Sequence, residues 1–250
     1  MVMDFNQKTF SKATEQVAID EGLRAYMLRV YNYMATGLLV TGIIAYVFGK
    51  ASVISSESGQ LLGLTPLGSM LFNSPLKWII MLAPLGFVLY LSSRLHRMSL
   101  SKAQITFWIY AAVMGLSLSW IFIVFTQVSI VRVFFVSSAT FGAMSLYGYT
   151  TKKDLTKLGG FLFMGLIGII IASVVNIFVG SSAMQFAISV IGVLVFVGLT
   201  AYDTQSIKNM YYAADNDSIS GKKALMGALR LYLDFINLFI LLLQLFGQRR

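Results

Sequence analysis

Apolar residues in this chain come in long blocks broken by short polar stretches, not in the alternation of a half-buried strand. A helix that crosses a bilayer needs roughly 20 mainly apolar residues. Seven stretches meet that requirement: Val30–Gly49, Lys77–Leu95, two within Ile105–Thr150, Gly159–Val179, Ala183–Ser206 and Leu225–Phe246. The segment Ile105–Thr150 carries one charge, Arg132. As a single helix it would be about 70 Å long, more than twice the hydrocarbon core. It is therefore read as two spans, turning at the polar "TQVS" of Thr126–Ser129. "GSS" at Gly180–Ser182 divides the fifth span from the sixth. The longest connector, Ala51–Leu76, contains Pro66 and Pro75, which argue against a regular span. It is expected to lie on the membrane surface or dip into it. Pro84, inside the second span, is expected to kink it.

Composition supports lipid as the solvent. The 250 residues are 57% hydrophobic and 12% charged, with a mean hydropathy of +0.77. A soluble domain carries about 25% charged residues. The net charge of +9 does not indicate a nucleic-acid surface, because the basic residues lie between apolar blocks rather than on one polar face. Disulfides and thiolate metal sites are excluded by the lack of cysteine, and a multi-histidine metal site by the single histidine, His96. Residues 1–29 hold charges of both signs, from Asp4 to Arg29, too many and too mixed for a signal peptide. They are read as a cytoplasmic N-terminal segment, and 30–250 as one seven-helix transmembrane domain. With the N-terminus inside, fourteen of the nineteen Lys and Arg fall on the cytoplasmic side. Five fall outside: Lys50, Lys77, Arg132, Arg249 and Arg250. This bias predicts an N-in, C-out topology, with the terminal arginine pair dissenting.

Two carboxylates interrupt this pattern. Asp203 sits near the end of the sixth span, in "LTAYDTQSIK" (Leu199–Lys208), and Asp234 lies inside the seventh, in "LRLYLDFINLFILLLQLF". An ionised Asp near mid-span costs roughly 2.5–3.5 kcal/mol on insertion scales, so such residues mark function by default. At 1.5 Å per residue Asp203 is expected about 5–10 Å inside its cytoplasmic helix end, and Asp234 about 13 Å beyond a helix start near Leu225. Consecutive antiparallel helices are usually neighbours, so the two can face each other at similar depth. Carboxylates that share a buried site do not readily both ionise, and they titrate as a unit. The predicted device is a proton-sensitive latch: one shared proton holds the helices together, and its loss drives them apart. The bland alternatives are a surface position for Asp203 and an i−4 pair between Arg230 and Asp234. Arg94, His96 and Arg97 end the second span on the same side. They read either as snorkelling anchors or, for the arginines, as a counter-charge to the pair. Asn237, one turn beyond Asp234, and Arg230, one turn before it, are possible supporting members of the same network.

The segments "AYDTQSIK" (Ala201–Lys208), "ALRLYLDFINLFILLLQLFG" (Ala228–Gly247), "YGYTTKKDLTKLGGFLFMGLIGIIIA" (Tyr147–Ala172) and "MGLSLSWIF" (Met114–Phe122) resemble the Bax-inhibitor-motif transmembrane family, in the form of a bacterial member. The resemblance covers spans two to seven. It implies an all-α membrane protein: six helices around a central seventh, in a bacterial inner membrane. It also implies a pH-sensitive calcium leak channel with a paired-aspartate sensor, which falls on Asp203 and Asp234, and an arginine latch at the end of the second helix. Counting back from "MGLS" favours Arg97 for that latch, and helical facing favours Arg94. Calcium wants 6–8 oxygen ligands. Two aspartates therefore make a weak, transient site for a transported ion, with no tightly bound cofactor expected.

Three other readings compete. Intramembrane aspartyl proteases also place an Asp after Tyr, as Tyr202–Asp203 does, but their second aspartate is flanked by glycine, whereas Asp234 sits in "YLDF". With no phosphate loop, dinucleotide motif or serine triad in context either, no enzymatic activity is expected. A proton-coupled transporter would share the intramembrane carboxylates but usually shows repeat symmetry. A regulator that binds a membrane protease or the cell-death machinery, roles the resemblance also implies, would need no ion path at all.

Overall fold

The computed structural model describes residues 2–55 and 61–250, and the side chains of 21–54, 61–95 and 97–250. The side chains of Asp4, Lys8, Lys12, Glu15 and Asp20, and that of His96, thus lie outside the described residues. The chain forms helices α1 (Val2–Ala51), α2 (Pro66–Phe72), α3 (Leu76–Arg94), α4 (Leu100–Leu118), α5 (Ile121–Val124), α6 (Gln127–Thr150), α7 (Thr156–Val179), α8 (Ser182–Asn209) and α9 (Asp217–Phe246). Seven segments of these are long and apolar enough to cross a membrane, α4 and α5 together supplying one of them, Leu100–Val124. The architecture is that of an all-α membrane protein. Large apolar side chains on the outer faces, such as Phe178 at 85% exposure and Ile177 at 73%, are arranged for contact with lipid rather than water.

Polar residues set the helix boundaries. Thr126 caps α6, its side chain accepting from the Ser129 amide, so the turn falls within the predicted "TQVS". Ser99, Ser181 and Asn216 cap α4, α8 and α9 in the same way, each satisfying an amide with no partner inside its helix. Gly180 ends α7 at φ 66, a left-handed conformation that glycine adopts without a steric penalty.

Three features go beyond the sequence reading, and only the second, at α9, departs from it. The connector Ala51–Leu76 contains an antiparallel hairpin, β1 (Val53–Ser55) with β2 (Leu61–Leu64), followed by α2. Thr65 caps α2 and Pro66 stands at its first position, where the missing amide costs nothing. The second is at α9, which starts at Asp217, two turns before Leu225, because Asn216 supplies the cap. The connection between the last two spans is correspondingly short. Thirdly, α1 is continuous from Val2 to Ala51, so the helix runs on through the 29/30 boundary.

The last helix is the most buried of the seven candidate spans. Of its apolar window 72% is buried, against 11% for α3 and 17% for α7. It packs against α8, α1, α6 and α4. Close approach is made possible by small residues. A Cβ on Gly227 would lie 2.8 Å from Ile207, and one on Gly148 would lie 2.2 Å from the Ala201 carbonyl. At the far end Gln248 N–H donates to Ser129 Oγ, and Thr126 N–H to the Gln248 carbonyl, joining the chain end to the α5–α6 turn.

Candidate functional site: a carboxyl pair between the last two spans

The contacts of Gly227 with Ile207 and of Gly192 with Leu241 set the antiparallel register of α8 and α9. That register brings Asp203 opposite the Arg230–Asp234 turn of α9. The two carboxyl groups face each other across the α8–α9 interface, close enough for their charges to interact. Carboxylates brought together in this way do not readily both ionise. Asp234 is 5% exposed, and its Oδ2 has no partner. Arg230 Nη1 stands 3.9 Å from Asp203 Oδ1, with side-chain exposures of 43% and 16%. That distance is too long for a hydrogen bond but close enough for charge attraction. Asp203 is thus the aspartate beside the cation, and Asp234 the deeper of the two.

Arg230 is thus set against Asp203 on the neighbouring helix, where spacing along α9 alone pairs it with Asp234. Its long side chain spans the interhelical gap. Arg94 closes α3, and Arg97 lies in the 3₁₀ turn Leu95–Arg97 that follows. Both are exposed, and among the described residues neither makes an ion pair with the aspartates. The Asn237 amide donates back to the Leu233 carbonyl at 2.8 Å. Among the described residues no group of three or more His, Cys, Asp or Glu gathers to hold a metal.

The segment around Asp203 is a junction in which successive side chains serve different neighbours. Ala201 accepts the close approach of α6 at Gly148, and Tyr202 lies against Gly159 of α7. Thr204 bonds Ser145 at 2.9 Å. Ser145 in turn bonds Tyr31 at 2.7 Å. Gln205 secures the α6–α7 connector, taking the Leu155 amide and donating to the Lys153 carbonyl, both at 2.8 Å. Lys208 donates to the Tyr149 carbonyl. In that connector, outside the spans, the Thr156 hydroxyl and amide both donate to Asp154 and hold its carboxyl below the usual range. Asp203 thus sits on a segment that contacts α6, α7 and α9 and the α6–α7 connector.

Sequence reasoning passed over several members of this region. Tyr26 is buried with an unpartnered hydroxyl and lies within the fields of Asp215 and Arg230. Arg29 of α1 pairs with Asp217, the first residue of α9, at 2.8 Å, and Lys223 pairs with Asp215 in the α8–α9 connection. At the opposite end, Asn176, Gln185, Gln244 and Ser189 form a hydrogen-bonded cluster. Glutamines within apolar runs were the available signal for that cluster.

Comparison with known proteins adds the following. Residues 23–250 match the family described as inhibitor of apoptosis-promoting Bax1. An uncharacterized protein of Rickettsia prowazekii is 50% identical over 243 residues, covering 97% of this chain and 98% of its own. The inner membrane protein YbhL of Escherichia coli K12 is 43% identical over 244 residues, covering 96% and 99%. An uncharacterized protein of Borreliella burgdorferi is 41% identical over 227 residues, covering 90% and 92%.

Proposed function

This chain belongs to the Bax1-inhibitor family of membrane proteins, and on that premise we propose that it is a pH-gated calcium leak pathway. We place it in a bacterial inner membrane, as the name of the Escherichia coli relative suggests, with its N-terminus in the cytoplasm and α9 as the axis of the bundle. The observation that supports the reading is the juxtaposition of Asp203 and Asp234 across the α8–α9 interface, with Arg230 3.9 Å from Asp203.

The gate follows from charge. With one proton shared, the pair is a hydrogen bond that joins α8 to α9. Removal of that proton leaves two like charges on facing helices. Unit charges about 4 Å apart repel by roughly 4 kcal/mol at an effective dielectric constant near 20. A partly exposed cation such as Arg230 returns at most about 1 kcal/mol. Repulsion wins, the helices separate, and the unpaired carboxylates face the opening. Two carboxylates fall short of the 6–8 oxygens that hold calcium firmly, so the ion is passed on rather than stored. The bulky flanks of Asp234, Leu233 and Phe235, support a sensor role over a protease dyad.

The test is calcium flux into proteoliposomes from about pH 5.5 to 8.5, a window that brackets the titration of a buried carboxyl pair. Flux is expected to rise with pH in the wild type, and Asp203→Asn or Asp234→Asn to flatten that dependence. Flux no greater than in empty liposomes for all three proteins would exclude the pathway. A regulator of another membrane protein would then be the remaining reading.

A further inference from the structure

A long apolar groove runs along the side of the bundle and plays no part in the carboxyl site. Its walls are α1 and α6, and its floor is α9. The wider part has a volume of about 670 Å³, lined by Met34, Leu38, Phe134, Phe141 and Phe235 among others. A narrower part of about 170 Å³ shares Leu38, Phe134 and Phe235 with it and continues toward Ile121 and Phe122. The Tyr31–Ser145 hydrogen bond bridges the two walls. Glycines keep them open: a Cβ on Gly42 or Gly142 would meet nothing within 4 Å.

One end of the groove is polar. Arg24 and Tyr149 line its mouth. Arg24 lies six residues before the apolar stretch that begins at Val30, and Tyr149 in the last turn of α6, so both stand at headgroup depth. Arg24 is exposed and makes no ion pair among the described residues. Lys208 adds a second positive charge behind Tyr149, 5.2 Å from its ring centroid. From Arg24 to Leu38 the wall is about 21 Å long at 1.5 Å per residue. This is one leaflet of a ~30 Å hydrocarbon core plus the start of its headgroup layer.

We infer that this groove is a phospholipid site, with one acyl chain lying between α1 and α6 along Phe235 and the phosphate on Arg24. An acyl chain suits a slot with apolar walls that opens sideways into the bilayer. The guanidinium supplies the planar donor set that recognises phosphate. The site is independent of any ion pathway, although Phe235 follows Asp234 in the chain and Ser145 bonds Thr204, the neighbour of Asp203.

The test uses the full chain in nanodiscs containing a small fraction of phosphatidylglycerol with a photoactivatable tail, and maps the labelled residues by mass spectrometry. Labelling is expected to concentrate on Met34, Leu38 and Phe134 over the more exposed Phe178. Gly142→Trp, which fills the groove, should abolish groove labelling and leave Phe178 labelled. Should that variant fail to fold, Gly42→Trp obstructs the groove from the other wall. Arg24→Gln should lower groove labelling roughly tenfold, the equivalent of one charge-assisted contact. A diacylglycerol with the same tail should label the groove weakly and be indifferent to Arg24→Gln. Labelling that merely follows exposure, or that survives the tryptophan variants, would overturn the site. Groove labelling equal for the two probes and unchanged by Arg24→Gln would overturn the phosphate assignment.

Discussion

Asp234 and Asp203 differ in what surrounds them, and that difference sets their roles. Asp234 is almost fully buried, with an oxygen lacking any partner, whereas Asp203 has a cation 3.9 Å away. The neighbouring charge stabilises the ionised partner of the pair, so removing it makes the second proton harder to lose. Arg230→Gln is therefore expected to move the half-maximal pH of calcium flux upward. The displacement should be less than about one pH unit, equivalent to ~1.4 kcal/mol, because the 43% exposure of Arg230 lets solvent screen it. Arg94→Gln and Arg97→Gln, made beside it, should leave the midpoint in place. A midpoint that moved with either of these and not with Arg230 would transfer the counter-charge to α3.

Among the elements, the α6–α8 contact leaves little room for added volume. Gly148 sits where any side chain would run into the Ala201 backbone, and backbone gives way only if a helix shifts. Gly148→Val should cost about 1–3 kcal/mol, the usual range for overpacking, and separate α6 from the segment that carries Asp203. The loss should appear as a lower unfolding temperature together with altered pH dependence. Gly142, two turns earlier on the same helix, faces open space. Gly142→Ala is expected to be neutral or to stabilise by up to about 1 kcal/mol, because it narrows the unfolded ensemble. Comparing the two variants by thermal unfolding in detergent separates helix propensity from interhelical packing.

For the whole molecule, the outstanding property is its direction in the membrane. The basic residues predict the N-terminus inside; under the proposed function that orientation would put the carboxyl pair at the cytoplasmic end and make it a reader of cytosolic pH. The chain contains no cysteine, so single introduced thiols report sidedness without background. Lys152→Cys, in the α6–α7 connector, should react with an impermeant reagent only from the cytoplasmic face. Gly63→Cys, in the β1–β2 hairpin, should react only from outside. Reactivity in the opposite sense would invert the topology and make the pair a sensor of the external compartment.

Span number, the turn at Thr126 and the identity of the two intramembrane aspartates were legible in the sequence. Each depends on local composition: a bilayer demands about 20 apolar residues per crossing, a turn collects polar groups, and a carboxyl group in such a run is conspicuous on cost alone. The start of α9 was misplaced because apolar length was the criterion. A polar helical extension capped by Asn216 carries no hydropathy signal. The counter-charge was beyond reach for a different reason. Arg230, Arg94 and Arg97 are equivalent as cations near a membrane face, and only the α8–α9 register, set by contacts such as Gly227 with Ile207, places Arg230 next to Asp203. The Tyr31–Ser145–Thr204 chain and the groove between α1 and α6 likewise join residues from helices distant in sequence. Hydropathy records where each residue stands relative to lipid. Which side chain meets which is decided when helices pack.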